Sequence, residues 1–272
     1  MDRNRPYDFD RVINRRGTSS LKWDFGERFV GMPGLIPLWV ADMDFEAPPE
    51  VVHAIRARAE HGIFGYTLEP DSWFDAAAGW LQRRHGWKVR REWMLPSPGV
   101  IPSLVFAILG LTEPGDGVII QPPVYYPFSL RVSANGRRVV ENPLRLSGTR
   151  WEMDLEGLEK VVDDRTRLLI LCSPHNPVCR VWDQASLQGL ADFCLRRGII
   201  VVSDEIHCDL VLPGSRHTPF ASLSSQAAAQ CVTLVSATKS FNLAGLGGSL
   251  TLIPDAGIRG RFDAVQHAIA GG

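Results

Sequence analysis

Two stretches, "RLLILC" at 167–172 and "GIIVVS" at 198–203, constrain what this chain can fold into more than any other feature. Successive residues of a strand point to opposite faces, so a strand with one wet face alternates apolar and polar residues. These runs do not alternate. Each needs apolar cover above and below, which is the condition of a strand in the middle of a parallel sheet with helices on both sides.

The intervening sequence supplies the helices. Helical periodicity runs over 49–60, 71–85, 100–111, 124–134, 154–162 and 184–197, and strand-like runs over 117–121, 138–142, 167–172, 199–203, 231–236 and 248–253. The predicted fold is α/β, a mostly parallel sheet sandwiched by helices, with an irregular N-terminal segment over 1–48. That segment carries the apolar "LIPLWVADMDF" at 35–45, which needs a surface to pack against, and residues 49–272 form the large domain. The final "FDAVQHAIAGG" reads as a helix with its glycine cap.

In an open α/β sheet, ligands gather beyond the carboxyl ends of the strands. There the chain places Tyr125 in "PPVYYP", Asn176 in "SPHNP", Asp204 and His207 in "DEIH", and Lys239 in "SATK". Each has an ordinary structural reading by itself. Asp204 can cap a helix, Asn176 before a proline is a turn former, Tyr125 and His207 can be core residues, and Ser236 can end a strand. A lysine at the end of a buried strand is harder to explain, because its ammonium must give up water unless something neutralises it or reacts with it.

Taken together, the set matches what pyridoxal phosphate requires: an amine for the Schiff base, a carboxylate for the pyridine nitrogen, a donor for the ring oxygen and a flat partner for the ring. The phosphate needs a cradle, and "SPGVIPSLVFAIL" at 97–109 offers one. Its Gly99 opens a helix whose first turn tolerates Pro102, leaving amides near Gly99, Val100 and Ile101 for an anion, with Ser236 and Thr238 adding hydroxyls. Alone, the same loop is a plain capped helix start.

Other classes fit less well. With 29 Lys+Arg against 30 Asp+Glu the formal charge is −1, which is no footprint for nucleic acid. Mean hydropathy is −0.03, no apolar run approaches the ~18 residues of a membrane span, and the N-terminus lacks a signal-peptide core. Five scattered cysteines without a CxxC pair fit reduced thiols in a cytoplasm, and no metal site is expected. The glycines of "GLGGSL" at 245–250 lack dinucleotide-binding spacing.

The stretches "PLWVADMDF", "FGYT", "SPGVIPSL", "LTEPGDGVIIQPPVYYPF", "SPHNPVCRVW", "VSDEIHCDLV" and "SATKSFNLAGL" resemble fold-type I pyridoxal phosphate enzymes, and among them the MalY/PatB-type cysteine carbon–sulfur lyases. The resemblance implies that Lys239 carries the cofactor, Asp204 pairs with the pyridinium, Asn176 and His207 lie near the phenolic oxygen, and Tyr125 stacks on the ring. It places Gly99, Val100, Ile101, Ser236 and Thr238 around the phosphate. Tyr66 would reach a neighbouring subunit's phosphate, so a homodimer is expected. The implied activity is β-elimination on cysteine thioethers such as cystathionine. The alternatives are a pyridoxal phosphate-dependent aminotransferase and a truncated, non-catalytic cofactor-binding relative.

Two departures from the family pattern stand out. Cys179 occupies the glycine position of "HNPxG", where the turn calls for positive φ. The resemblance also implies a small C-terminal domain bearing the arginine that clamps the substrate carboxylate. The 272 residues do not include it, so poor turnover and an exposed apolar patch at 35–45 are expected of this chain.

Overall fold

The computed structural model describes residues 7–270. Its strands are β1 (Met94–Ser97), β2 (Gly117–Ile120), β3 (Arg138–Glu141), β4 (Arg145–Ser147), β5 (Arg150–Glu152), β6 (Thr166–Cys172), β7 (Ile200–Asp204), β8 (Cys231–Val235) and β9 (Ser249–Leu252). The helices are α1 (Leu21–Asp24), α2 (Gly26–Val30), α3 (Pro49–His61), α4 (Asp71–His85), α5 (Val100–Leu111), α6 (Pro127–Ala134), α7 (Leu155–Val161), α8 (Gln184–Arg197), α9 (Ser225–Ala229), α10 (Ala237–Ser240) and α11 (Ala256–Ala270). The chain divides into two compact units: residues up to Gly65 together with Phe241–Leu246, and Tyr66–Ser240 together with the residues from Gly247 onward.

In the second unit, seven strands form one sheet in the order β1-β9-β8-β7-β6-β2-β3. The pairs β2–β3, β2–β6, β6–β7 and β7–β8 are parallel. Strand β9 runs antiparallel to both β8 and β1, so it alone is reversed. The two apolar runs behave as their pattern demands. Leu169, Leu171 and Val201 enter the core on one face, while Leu168, Ile170 and Val202 enter it on the other. All six are at most 1% exposed, each contributing roughly 1.5–3 kcal/mol of transfer free energy.

Helix α8 shows how the cover forms. The Asp183 carboxylate accepts from the Ser186 amide at 2.8 Å and starts the helix, and Gly198 at φ +63° ends it. Between them Leu187, Leu190, Ala191 and Cys194 repeat at helical spacing and are buried.

Several elements escaped the periodicity. Strand β1 contains Pro96 and has no alternation; it exists as an edge strand, where a missing N–H is tolerated. The β4–β5 hairpin and helices α1 and α2 are too short to leave a periodic signal. The helix expected over 124–134 begins at Pro127, whose fixed φ suits a first helical position, which leaves Val124–Tyr126 in a loop. Helix α11 is present, and the glycines expected to cap it lie outside the described residues.

The first unit is held by polar contacts on the "ADMDF" segment. Arg15 pairs with Asp42 at 2.8 Å and Asp44 at 2.6 Å, and Lys22, only 5% exposed, reaches Asp44 at 2.7 Å. Burial pushes the Asp44 carboxyl up, but hydrogen bonds from Lys22, Trp23 and Arg15 win and hold it at about 2. Asn242 bonds the same segment, donating to the Met43 and Phe45 carbonyls and accepting from the Met43 amide. Ile36 and Leu38 stand 80% and 88% exposed.

Candidate active site

The carboxyl ends of the parallel strands converge on one edge of the sheet. Asp204 is the last residue of β7, Asn176 follows β6, Tyr125 follows β2, and Ser236 and Lys239 follow β8. Because β9 is reversed, Gly248 enters at the edge where Ser236 leaves.

Asp204 is 5% exposed, and burial raises its pKa to about 7 while the Lys239 ammonium opposes the shift. Its Oδ1 accepts from the Ile206 amide at 3.1 Å, and no other donor among the described residues serves it. No helix follows β7, so the capping role open to Asp204 is not used. The adjacent Glu205 is committed to the core. It accepts from Ser203 Oγ at 2.8 Å, from the Phe220 amide at 2.9 Å and meets His217 Nε2 at 2.9 Å. Strand alternation thus sends the two carboxylates of "DE" to different environments, and the sequence had not shown the Glu205–His217 pair.

Lys239 sits on the four-residue turn α10. Its charge is felt by Asp204 and also by His207, whose pKa is lowered first by burial and then by Lys239. Tyr125 is half-buried and its ring meets Phe128 edge-on at 5.7 Å. Burial, then the charges of Tyr126 and Asp204, raise its pKa. The side chains of Asn176, His207 and Tyr125 have no hydrogen-bond partner among the described residues. These partly exposed polar groups stand near a buried carboxylate and a lysine, which makes the strand-end edge the candidate ligand site.

The loops are tied to one another. His175 Nε2 donates to the Pro123 carbonyl at 3.0 Å, joining the turn before Asn176 to the one before Tyr125. Burial holds His175 at about 4, so the ring is neutral at pH 7. Cys179 has φ +55°, the left-handed geometry its glycine-like position requires. The other four cysteines are buried, and all five are free thiols. Replacing Cys179 by glycine is expected to stabilise the chain by about 1 kcal/mol, because a β-carbon disfavours that conformation. Thermal unfolding checks this; an unchanged or lower melting temperature contradicts it.

At the other end of the edge lies the N-terminus of α5, the candidate anion cradle. Gly99 precedes α5 without any side-chain cap, Val100 and Ile101 begin the helix, and Pro102 has no N–H to offer. The Gly248 amide donates to the Pro98 carbonyl at 2.9 Å, and Ser236 Oγ donates to the Gly248 carbonyl at 2.7 Å. The Thr238 amide donates to Ser236 Oγ at 3.1 Å. A β-carbon on Gly247, at φ +67°, would meet the Pro98 carbonyl oxygen at 3.1 Å. Gly247 and Gly248 entered the sequence reading only as glycines without dinucleotide-binding spacing, and Ser103, which hydrogen-bonds Ser97 and Ser249, was not singled out. Their signal is a small-residue bias visible only once β1 and β9 are known to be neighbours.

The donor set fits pyridoxal phosphate: a helix N-terminus for a phosphate, a buried carboxylate with one unserved oxygen for a protonated ring nitrogen, and a nearby primary amine. Tyr66 is fully exposed in the single chain.

Residues 33–265 match the aminotransferase class I and II family model. The chain is 48% identical to cystathionine β-lyase PatB of Bacillus subtilis over 94% of its own length and 66% of the relative's. It is 33% identical to protein MalY of Escherichia coli over 97% of its length and 67% of the relative's. Cystalysin of Treponema denticola, solved with its pyridoxal 5′-phosphate cofactor, superposes with a TM-score of 0.94 at 37% identity, covering 98% of this chain and 68% of that one. The chain therefore spans about two thirds of the length of the relatives it matches. By its sequence and by its fold, this chain belongs to the aminotransferase class I and II family, as a relative of PatB and MalY.

Proposed function

We propose that the chain is the cofactor-binding part of a pyridoxal phosphate-dependent carbon–sulfur lyase. In this reading it cleaves cysteine thioethers such as cystathionine to a thiol, pyruvate and ammonia. The observation that carries the proposal is the placement of Lys239 on the turn after β8, beside the parallel β7 whose last residue is buried Asp204. The likeness to PatB supports the lyase over other members of the family.

Bound there, the cofactor supplies a sink for the electron pair left when a Cα proton is removed. The protein's own groups do the rest. Lys239 would hold the cofactor, and its Nζ would take the Cα proton of the substrate. Asp204 keeps a proton on the ring nitrogen. Asn176 and His207 donate to the ring oxygen, Tyr125 covers the ring, and Gly99, Val100, Ile101, Ser236 and Thr238 hold the phosphate.

Further parts of the proposal concern assembly and location. Exposed Tyr66, with Ile63, Phe64 and Leu68 beside it, suits a homodimer in which Tyr66 completes the partner's phosphate site. The apolar 35–45 stretch suits packing on a small domain. No described helix is long and apolar enough to cross a membrane, and the free thiols suit the cytoplasm.

The test is uptake of pyridoxal phosphate, followed by borohydride reduction and peptide mass spectrometry, then a pyruvate assay with cystathionine on the full-length protein. Label on Lys239 and pyruvate release are expected. Label without pyruvate, but with amino transfer to a second keto acid, makes the protein an aminotransferase. No specific label ends the cofactor proposal.

A further inference from the structure

Lys239 rides on α10, a turn of only four residues. So short a helix has no stability of its own, because nucleation fixes several dihedral angles for one hydrogen bond. Whatever sets the position of the lysine must act from outside the turn. At its leading end Ser236 acts, through its bonds to the Gly248 carbonyl and the Thr238 amide. At its trailing end Ser240 Oγ donates to Asp209 Oδ2 at 3.1 Å.

Asp209 is well placed to be an anchor. Trp80 Nε1 donates to its two oxygens at 3.0 and 3.2 Å, and His85 Nε2 donates to Oδ1 at 3.0 Å. Both donors lie on the fifteen-residue helix α4. Burial raises the Asp209 pKa, but the bonds from His85, Trp80 and Ser240 prevail, and it falls below the usual carboxylate range. The hub also reaches the neighbouring strand end. His85 meets the His217 ring edge-on at 5.3 Å, and His217 holds Glu205, which follows Asp204. His85, Cys208 and Asp209 have ligand atoms within 4.8 Å of one another, as a metal site would. Yet both Asp209 oxygens already accept from N–H or O–H donors, which makes the group a hydrogen-bond hub.

We propose that Asp209, acting through the Ser240 hydroxyl, is a positioning residue that fixes where the Lys239 amine stands relative to Asp204. The proposal rests on the cofactor site proposed above. It concerns the geometry of attachment and assigns Asp209 no contact with substrate.

Ser240→Ala removes only the arm to the turn and leaves Asp209 bonded to Trp80 and His85. Its affinity for pyridoxal phosphate should fall about tenfold, the effect of one hydrogen bond to a charged group. The pH midpoint of the bound cofactor's visible band should move by about half a unit or more. Ser240→Thr, which keeps the hydroxyl, should restore both, and Asp209→Asn should shift them at least as far where it folds. Wild-type affinity and midpoint in Ser240→Ala overturn the proposal, whatever happens to its melting temperature. If the wild-type protein attaches no cofactor at Lys239, the site assignment itself falls, and this inference falls with it.

Discussion

Lys239→Ala is expected to abolish covalent attachment of pyridoxal phosphate and to lower turnover by roughly 10³-fold or more, since it removes both the anchor and the proposed base. The chain has four lysines, so the result is easy to read. Lys22 is buried and ion-paired in the N-terminal unit, and Lys88 and Lys160 are exposed on the surface. Lys239 alone stands at the carboxyl edge of the sheet. Borohydride reduction should label it in the wild type and label no lysine stoichiometrically in the variant. Undiminished labelling at Lys22, Lys88 or Lys160 would sink the assignment.

Asp204→Asn has two large and opposite effects. Turnover should fall roughly 10²- to 10³-fold, because a neutral amide cannot hold the ring nitrogen protonated. Stability of the cofactor-free protein should rise near pH 8. The sign follows from the raised pKa: the folded chain holds a proton that the unfolded chain, with its ordinary value of 3.8, releases between that pH and about 7. The wild type therefore loses stability as pH climbs through this window, by something on the order of 4 kcal/mol once Asp204 is fully ionised. Below pH 3.8 the penalty is absent. The variant should lack the decline. Denaturant melts of both cofactor-free proteins at pH 4.5 and 8 measure it, and parallel curves would show that Asp204 is not the titrating group. Cofactor binding should reduce the decline in the wild type, because a cationic ring nitrogen compensates the buried charge.

Much of the strand-end arrangement that forms the candidate site was legible before any coordinates. The apolar runs at 168–171 and 199–202 could be read because burial on both faces leaves no alternation, and the residues after them had to stand at one edge. Cys179 could be read only through the resemblance, whose pattern has glycine at this positive-φ position. The hairpin at 145–152, the edge strand at 94–97 and the turns over 21–30 could not, being shorter than the period that would reveal them.

The sequence by itself determined the layered α/β fold and the four strand ends that carry Tyr125, Asn176, Asp204 and Lys239, because periodicity reports which residues must leave water. It could not report which residues meet. Only the tertiary structure showed where the neighbouring Glu205 goes, held in the core by Ser203, the Phe220 amide and His217. Only the reversal of β9 brings Gly248 to Ser236 and closes the cradle. The tie from Lys239's turn to Asp209, and from there to Trp80 and His85, joins residues more than a hundred positions apart. A hydrogen bond between side chains so distant in sequence has no period, so it enters only when the chain closes on itself.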